Sequence, residues 1–345
     1  MGNDHLTPPT HATIDDVARE AGVSTATVSR ALHHLPYVAE STRERVLEAA
    51  GRLRYVANPN ASRLASGATS TVGVLAPVLT SWYTTEVVAG VEDVMAEAGY
   101  DLLISTADPE ARERMLSGET RFRQRVDGVL LVDVMCREAG AQRLALLDVP
   151  VVVLGEEVHA VDSVSVDNIA GGAMAADHLV TLGHRHIAMM GGRSYARDAH
   201  DVPNDRAAGF RGALRRAGLA LDPLLEVDGG FDIEGGRLAM HALLDLPSPP
   251  TGVFAMSDEM AFGVLQAMRE RGLRPGVDVS VVGFDDHPVS EAIGLTTVRQ
   301  PVRAIGRTGA RLLLDHLEGS AEVDHHPMPL SLVIRASTGV PHSSP

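Results

Sequence analysis

Lysine is absent from these 345 residues: all 30 basic side chains are arginine, facing 45 carboxylates for a net charge of −15. A chain of that balance does not attract polyanions in bulk, so any nucleic-acid contact has to be made by a local surface. The single cysteine, Cys136, excludes a disulfide framework and a thiolate metal cluster, as suits a reducing compartment. The fifteen histidines are scattered without metal-ligand spacing. No apolar run approaches the ~20 residues of a membrane span. The polar start Met1–Thr10 also lacks the charged-then-apolar pattern of an export signal. Phosphate-cradling loops and nucleophile elbows are missing too. A cytoplasmic protein without membrane contact, cofactor, metal or enzymatic activity is expected. Aromatics make up only 3% of the chain, so each one outside a core stands out.

What is present is organised in two parts. The charge is unevenly spread: arginines and carboxylates balance through residue 70, and the whole of the −15 lies beyond it. Within the balanced part, Thr13 and Asp16 form a capping pair. Ile14, Val17, Ala18 and Ala21 then fall on one helical face. Gly22 permits a left-handed turn, Val23 plugs the corner, and Ser24 caps a second helix with Val28 and Ala31 inward. That is a helix-turn-helix, whose second helix offers Thr25, Ala26, Thr27, Ser29 and Arg30 to a DNA major groove. Ser41-Thr42-Arg43-Glu44 reads as a capping box opening a third helix through Leu53, with Val46, Leu47, Ala50 and Leu53 closing a small core. Asn58-Pro59 then begins a helix of about two turns, stopped near Gly67 and too short to hold alone in water.

From residue 71 the pattern changes to buried strands alternating with helices, the mark of a parallel, doubly wound sheet covered on both faces. Strands are expected at 71–76, 100–105, 128–132 and 151–155, with a helix at 86–99 after the first. A second series has helices at 171–182, 205–217 and 259–271 and strands at 187–190, 252–255 and 279–283. Two such lobes leave a cleft lined by loops at the strand ends. Trp82 and Tyr83 follow the first strand and are placed to cover the flat face of a sugar ring, dimer packing being the alternative for Trp82.

The run Thr13–Arg30, the segment 55–66, Asp205-Arg206-Ala207-Ala208-Gly209-Phe210, Gly283-Phe284-Asp285-Asp286 and Leu295-Thr296-Thr297-Val298-Arg299-Gln300-Pro301 together resemble the lactose-repressor/galactose-repressor (LacI/GalR) family. The resemblance implies an α/β architecture: a three-helix helix-turn-helix headpiece over 12–57, a hinge helix and linker over 58–70, and a two-lobe, periplasmic-binding-protein-like core over 71–340. It also implies chain crossovers near 165, 299 and 330. On the DNA side it points to Thr13, Ser24, Thr25, Ala26, Thr27, Ser29, Arg30, Asn58 and Ala61, with Leu64 as a minor-groove wedge. The chain departs from the family's hinge pattern at Ala57 and in carrying Arg63 one place later. Arg206 matches the family's effector-binding arginine, Asp285 its acidic partner, and Phe231 a stacking aromatic. Ser257, Asp258 and Asp167 are weaker candidates. Asp258 is alternatively a helix cap, and Arg206–Asp285 alternatively a salt bridge between lobes. The implied function is a homodimeric repressor of a near-palindromic double-stranded operator, controlled by a small carbohydrate effector. A purine-type or other non-sugar effector, or a sugar-binding protein without DNA function, is the alternative.

Overall fold

The computed structural model describes residues 12–32, 36–55, 69–106, 122, 124–133, 149–192, 202–320 and 323–341. The chain forms two compact units that divide between Thr69 and Ser70.

In the first unit, helix α1 (Ile14–Ala21) opens on the expected capping box: the Thr13 hydroxyl accepts from the Asp16 amide while the Asp16 carboxylate takes the Thr13 amide. Gly22 ends α1 at φ 65, the left-handed conformation a side chain resists. Helix α2 (Thr25–Leu32) starts under Ser24, whose hydroxyl accepts from the Thr27 amide at 3.2 Å. The third helix, α3 (Glu40–Leu53), corrects the sequence reading. It begins at Glu40, so Ser41 is already helical and caps nothing. A tertiary contact sets this start: Arg43 in the first turn pairs with Glu40 and donates to the Ala31 carbonyl at the end of α2. The register also turns Leu47 outward, 43% exposed, and puts Ala49 in the core with Val17, Val28 and Val46.

The second unit holds two six-stranded sheets. The first lobe is built on β1 (Thr71–Ala76), β2 (Asp101–Thr106), β3 (Gly128–Val132), β4 (Val151–Leu154), β5 (Asp162–Val166) and β11 (His325–Met328), in the order β11-β5-β4-β3-β1-β2, all parallel. The second lobe has β6 (Ile187–Gly191), β7 (Glu226–Asp228), β8 (Gly252–Ala255), β9 (Ser280–Asp285), β10 (Thr296–Arg299) and β12 (Ser331–Val333). Their order is β12-β10-β9-β8-β6-β7, with β12 alone antiparallel. The chain crosses between lobes after β5, after β10 and between β11 and β12, matching the expected crossovers.

Helices α4 (Trp82–Glu97) and α10 (Val302–Leu317) cover the first lobe. Helices α5 (Asn168–Thr181), α6 (Val202–Arg216), α7 (Ile233–Leu244), α8 (Asp258–Glu270) and the short α9 (Pro288–Ile293) cover the second. Helix α4 begins at Trp82, four residues before the expected start, so Trp82 and Tyr83 lie in its first turn. Strands β5, β7, β10, β11 and β12 and helices α7, α9 and α10 have no counterpart among the elements expected from the sequence. Gly235 and Gly236 lie in the first turn of α7.

The helices approach closely where glycines face backbone. A Cβ on Gly172 of α5 would lie 2.0 Å from the Arg206 carbonyl, and one on Gly209 of α6 would lie 1.8 Å from that of Ile169. That reciprocal contact fixes Arg206 against α5. In the second-lobe core, Phe210 and Phe254 stack at 5.2 Å between centroids, a pair adding about 0.5–1.5 kcal/mol beyond its burial. His184 is pinned between Thr251, Ser280 and the Gly339 carbonyl, a structural tie between the strands and the chain's last described turn.

Candidate functional site

On the first unit, helix α2 buries Val28 and Ala31, leaving Ser24, Thr25, Ala26 and Arg30 exposed and Thr27 and Ser29 half-buried. The hydroxyls of Ser24 and Thr27 are 2.9 Å apart and the Thr13 hydroxyl donates to Asp16, so these three are engaged locally. Thr25, Ala26 and Arg30 form the outward edge, small side chains followed by one long donor fork, which suits close approach to a groove. Tyr37, 99% exposed at φ 69, is an aromatic on this unit that sequence reasoning missed. Asn58, Ala61 and Leu64 lie outside the described residues.

In the second unit a cavity of about 470 Å³ opens between the lobes, within the size range of small-molecule sites. Tyr83, Arg206, Phe231, Ser257 and Asp285 line it, as do Asp133, Glu156, Asn168, Asp232, Glu259 and Gln300, which the sequence did not single out.

Arg206 projects from α6 into this cavity and is held from several sides. Its Nε donates to Asn168 Oδ1 at 2.9 Å, its Nη1 to the Met256 carbonyl at 2.5 Å, and its guanidinium lies 3.5 Å above the Phe284 ring centre. Nη2 keeps its donors without a partner among the described residues. Burial pushes the Arg206 pKa down, while Asp285 and Asp133 act to raise it.

Asp285 ends β9 at φ 116, followed by Asp286 at φ 59, two non-glycine residues held in left-handed backbone at a cleft edge. Gln300 donates to Asp285 Oδ1 at 2.6 Å. Burial raises the Asp285 pKa, opposed by Arg206 and Gln300. Arg206 and Asp285 both belong to the second lobe, and among the described residues no ion pair joins them. The reading of a salt bridge between lobes is therefore corrected.

Three of the weaker or aromatic candidates are placed elsewhere. Asp258 is fully buried behind the cavity, accepting from Ser290 Oγ, Thr297 Oγ1 and the His287 amide. It does not cap α8 either; Ser257 does, accepting from the Met260 amide. A carboxylate in a polar pocket and a carboxylate at a ligand give the same local sequence signal, so the sequence does not separate the two at Asp258. Asp167 caps α5 through the Ala170 amide. Trp82 is turned from the cavity onto His287 of the other lobe, ring centres 4.6 Å apart, with His287 edge-on to Phe262 at 5.2 Å. Burial lowers the His287 pKa. Beside this stack Glu259 faces the Trp82 amide and the Ser81 hydroxyl, which oppose the upward push of burial on its pKa. The α4 N-terminus has no side-chain cap of its own, so its start depends on a residue far away in sequence.

Asp133, just past β3, is the group the sequence hid most completely. Its Oδ1 is shut off from solvent and has no hydrogen-bond partner. Burial lifts its pKa to about 7 against the pull of Arg206. No group of histidine, cysteine or carboxylate side chains among the described residues could hold a metal ion. No helix among them is long and apolar enough to cross a membrane.

Comparison with known proteins gives two family matches. Residues 13–58 match bacterial regulatory proteins of the lacI family, and residues 176–338 match the periplasmic binding protein-like domain. The transcriptional repressor CytR of Escherichia coli K12 is 34% identical over 95% of this chain and 97% of its own length. The lac repressor dimer bound to operator and the anti-inducer ONPF superposes with a TM-score of 0.82 at 30% identity, covering 95% of this chain and 99% of that one. The regulator CelR in complex with cellobiose gives a TM-score of 0.68 at 33% identity, covering 94% and 99%.

Proposed function

The chain belongs to the LacI family of DNA-binding transcriptional repressors, and from that premise we propose that it is controlled by a sugar bound in the cavity between its two lobes. It is a regulator and not an enzyme. The observation that carries the sugar reading is the presence in one cavity of a donor, Arg206 Nη2, and an acceptor, the Asp285 carboxylate, both from the second lobe, with Tyr83 and Phe231 also in the lining. A polyol has donors and acceptors on adjacent carbons and apolar faces above and below, which fits such a lining. The cellobiose complex of CelR supports the same class of ligand.

On this proposal the protein acts as a homodimer, and the pairing of the lac repressor dimer with its operator supports that assembly. Each headpiece reads half of a near-palindromic site, with Thr25, Ala26, Ser29 and Arg30 toward the bases and phosphates. Asn58, Ala61 and Leu64 complete the contact from the hinge, where Leu64 wedges into the minor groove. Sugar binding shifts the lobe arrangement, and the hinge segments pass the change to the headpieces. An effector preferring one state a hundredfold shifts the balance by about 2.7 kcal/mol.

The experiment is a thermal-shift screen of the full chain against neutral sugars and purines, followed by operator titration with any hit. A hit among the sugars that changes operator affinity supports the reading. Stabilisation by purines alone overturns it.

A further inference from the structure

We propose that Trp82 and His287 form a latch between the two lobes, set outside the effector cavity, that holds the lobes in the arrangement able to close on a ligand. The inference rests on the sugar reading above for the identity of its ligand, while the latch itself stands on contacts within the chain.

Each half of the latch is rooted in its own lobe. Trp82, the single tryptophan of the chain, packs against the first-lobe core from the opening turn of α4. His287 stands between β9 and α9 of the second lobe, and Phe262, which packs on the second-lobe core, meets it edge-on. The Trp82 and His287 rings meet across the junction, centres 4.6 Å apart at an interplanar angle of 53°. Neither residue is among those lining the cavity. The histidine is fixed on its own side. Its amide donates to Asp258 Oδ2 at 2.8 Å, and its Nδ1 accepts from the Val289 amide at 3.0 Å, so it caps α9 as a neutral ring.

A second contact runs through the same turn of α4. Ser81 makes no side-chain cap there, and Glu259 of α8 accepts from the Trp82 amide and the Ser81 hydroxyl instead. Parting the lobes uncovers the indole and strips the positive end of α4 of its carboxylate. The cavity is lined from both sides, by Tyr83 and Glu156 of the first lobe and by Arg206 and Asp285 of the second. A ligand touching both walls therefore favours the same closed arrangement as the latch. The larger the latched share of molecules, the less of the ligand's binding energy goes into closing the lobes.

The test compares the full wild-type chain with His287→Asn and His287→Phe. Asparagine keeps a side-chain acceptor for the Val289 amide and removes the ring, whereas phenylalanine keeps a ring against Trp82 and removes the cap. Tryptophan fluorescence reports on Trp82 alone. Without ligand, His287→Asn should shift the emission to longer wavelength and raise its quenching by acrylamide, as the indole becomes wetter. His287→Phe should stay near the wild type. Calorimetry is then run against neutral mono- and disaccharides including ribose and cellobiose. His287→Asn should weaken the sugar that binds the wild type about two- to tenfold, the shift expected for the loss of one aromatic pair, and His287→Phe by less than about twofold. A histidine that acts only as a helix cap gives the reverse order, which overturns the proposal. So does an unchanged emission in His287→Asn, or a shifted emission with unchanged sugar affinity. If the wild type binds no sugar of the panel, the sugar reading fails, and the ligand-free emission still decides whether the latch exists.

Discussion

In the second lobe the polar groups at the cavity are already held. Arg206 is fixed by Asn168, Met256 and Phe284 on a helix locked by glycine contacts, and Asp285, at the end of β9, is held by Gln300. In the first lobe Asp133 presents an oxygen that nothing in the protein meets. The contrast is between a wall whose polar groups are held by hydrogen bonds and one with a buried oxygen that has no partner. On the proposed function, a ligand that touched both walls would couple its binding to the lobe arrangement.

The strongest way to break this comparison is at the prepared wall. Arg206→Ala removes a buried charge and leaves Asn168 Oδ1 and the Met256 carbonyl without their donor. Sugar affinity in calorimetry should drop about ten- to a hundredfold or more, a loss of about 1.5–3 kcal/mol for a hydrogen bond to a charged group. A drop below tenfold would mean that the second lobe does not set the ligand's position.

Gly172→Val attacks the same wall from behind. The added side chain has to displace the Arg206 carbonyl, and overpacking of this kind costs about 1–3 kcal/mol. A lowered melting temperature together with weaker sugar binding is expected. A variant that melts earlier but binds sugar normally would separate helix packing from the site.

The first-lobe wall is sharpened by pH. Folding raises the Asp133 pKa from 3.8 to about 7, so the folded chain keeps a proton that the unfolded chain releases near 3.8. Its share of stability is therefore lost as pH rises from about 4 to about 7. Asp93, paired with Arg303 and Arg307 on α10, is shifted the other way by those hydrogen bonds. What it contributes is present above its ordinary pKa and lost only in acid. Melting curves from pH 5 to pH 8 should show Asp133→Asn gaining on the wild type as pH rises. A constant difference across that range would contradict the raised value.

The smallest effect is expected away from the cavity. Thr13→Ala removes the hydroxyl that accepts from the Asp16 amide, leaving the Thr13 backbone half of the capping box, and should cost the headpiece about 1 kcal/mol. Hydrogen exchange of α1 amides in the full chain reports it, while exchange in the second unit should not change.

The parts of this molecule that were legible in the sequence are those with local causes. The Thr13–Asp16 cap, the Gly22 turn, the Ser24 cap and the buried strands 71–76, 128–132 and 252–255 each follow from a few neighbouring residues. Resemblance to a family carried Arg206, Phe231 and Asp285 to the cavity wall. The rest depended on contacts distant in sequence. Helix α3 starts early because Arg43 reaches the end of α2, and α4 starts at Trp82 beneath a carboxylate from the other lobe. Asp133 looks like any acid ending a strand until the fold shows that its oxygen is buried and alone. Asp258 shows the opposite error, a ligand-like pattern whose oxygens are all spent within the protein.

The most direct measurement is operator affinity of the full chain with and without the neutral sugar that stabilises it, compared between wild type and Arg206→Ala on one selected duplex. The account predicts that sugar changes wild-type affinity at least about tenfold. It also predicts that Arg206→Ala binds the same duplex as tightly as the sugar-free wild type and ignores the sugar. A variant whose operator affinity still follows the sugar as the wild type's does would contradict it.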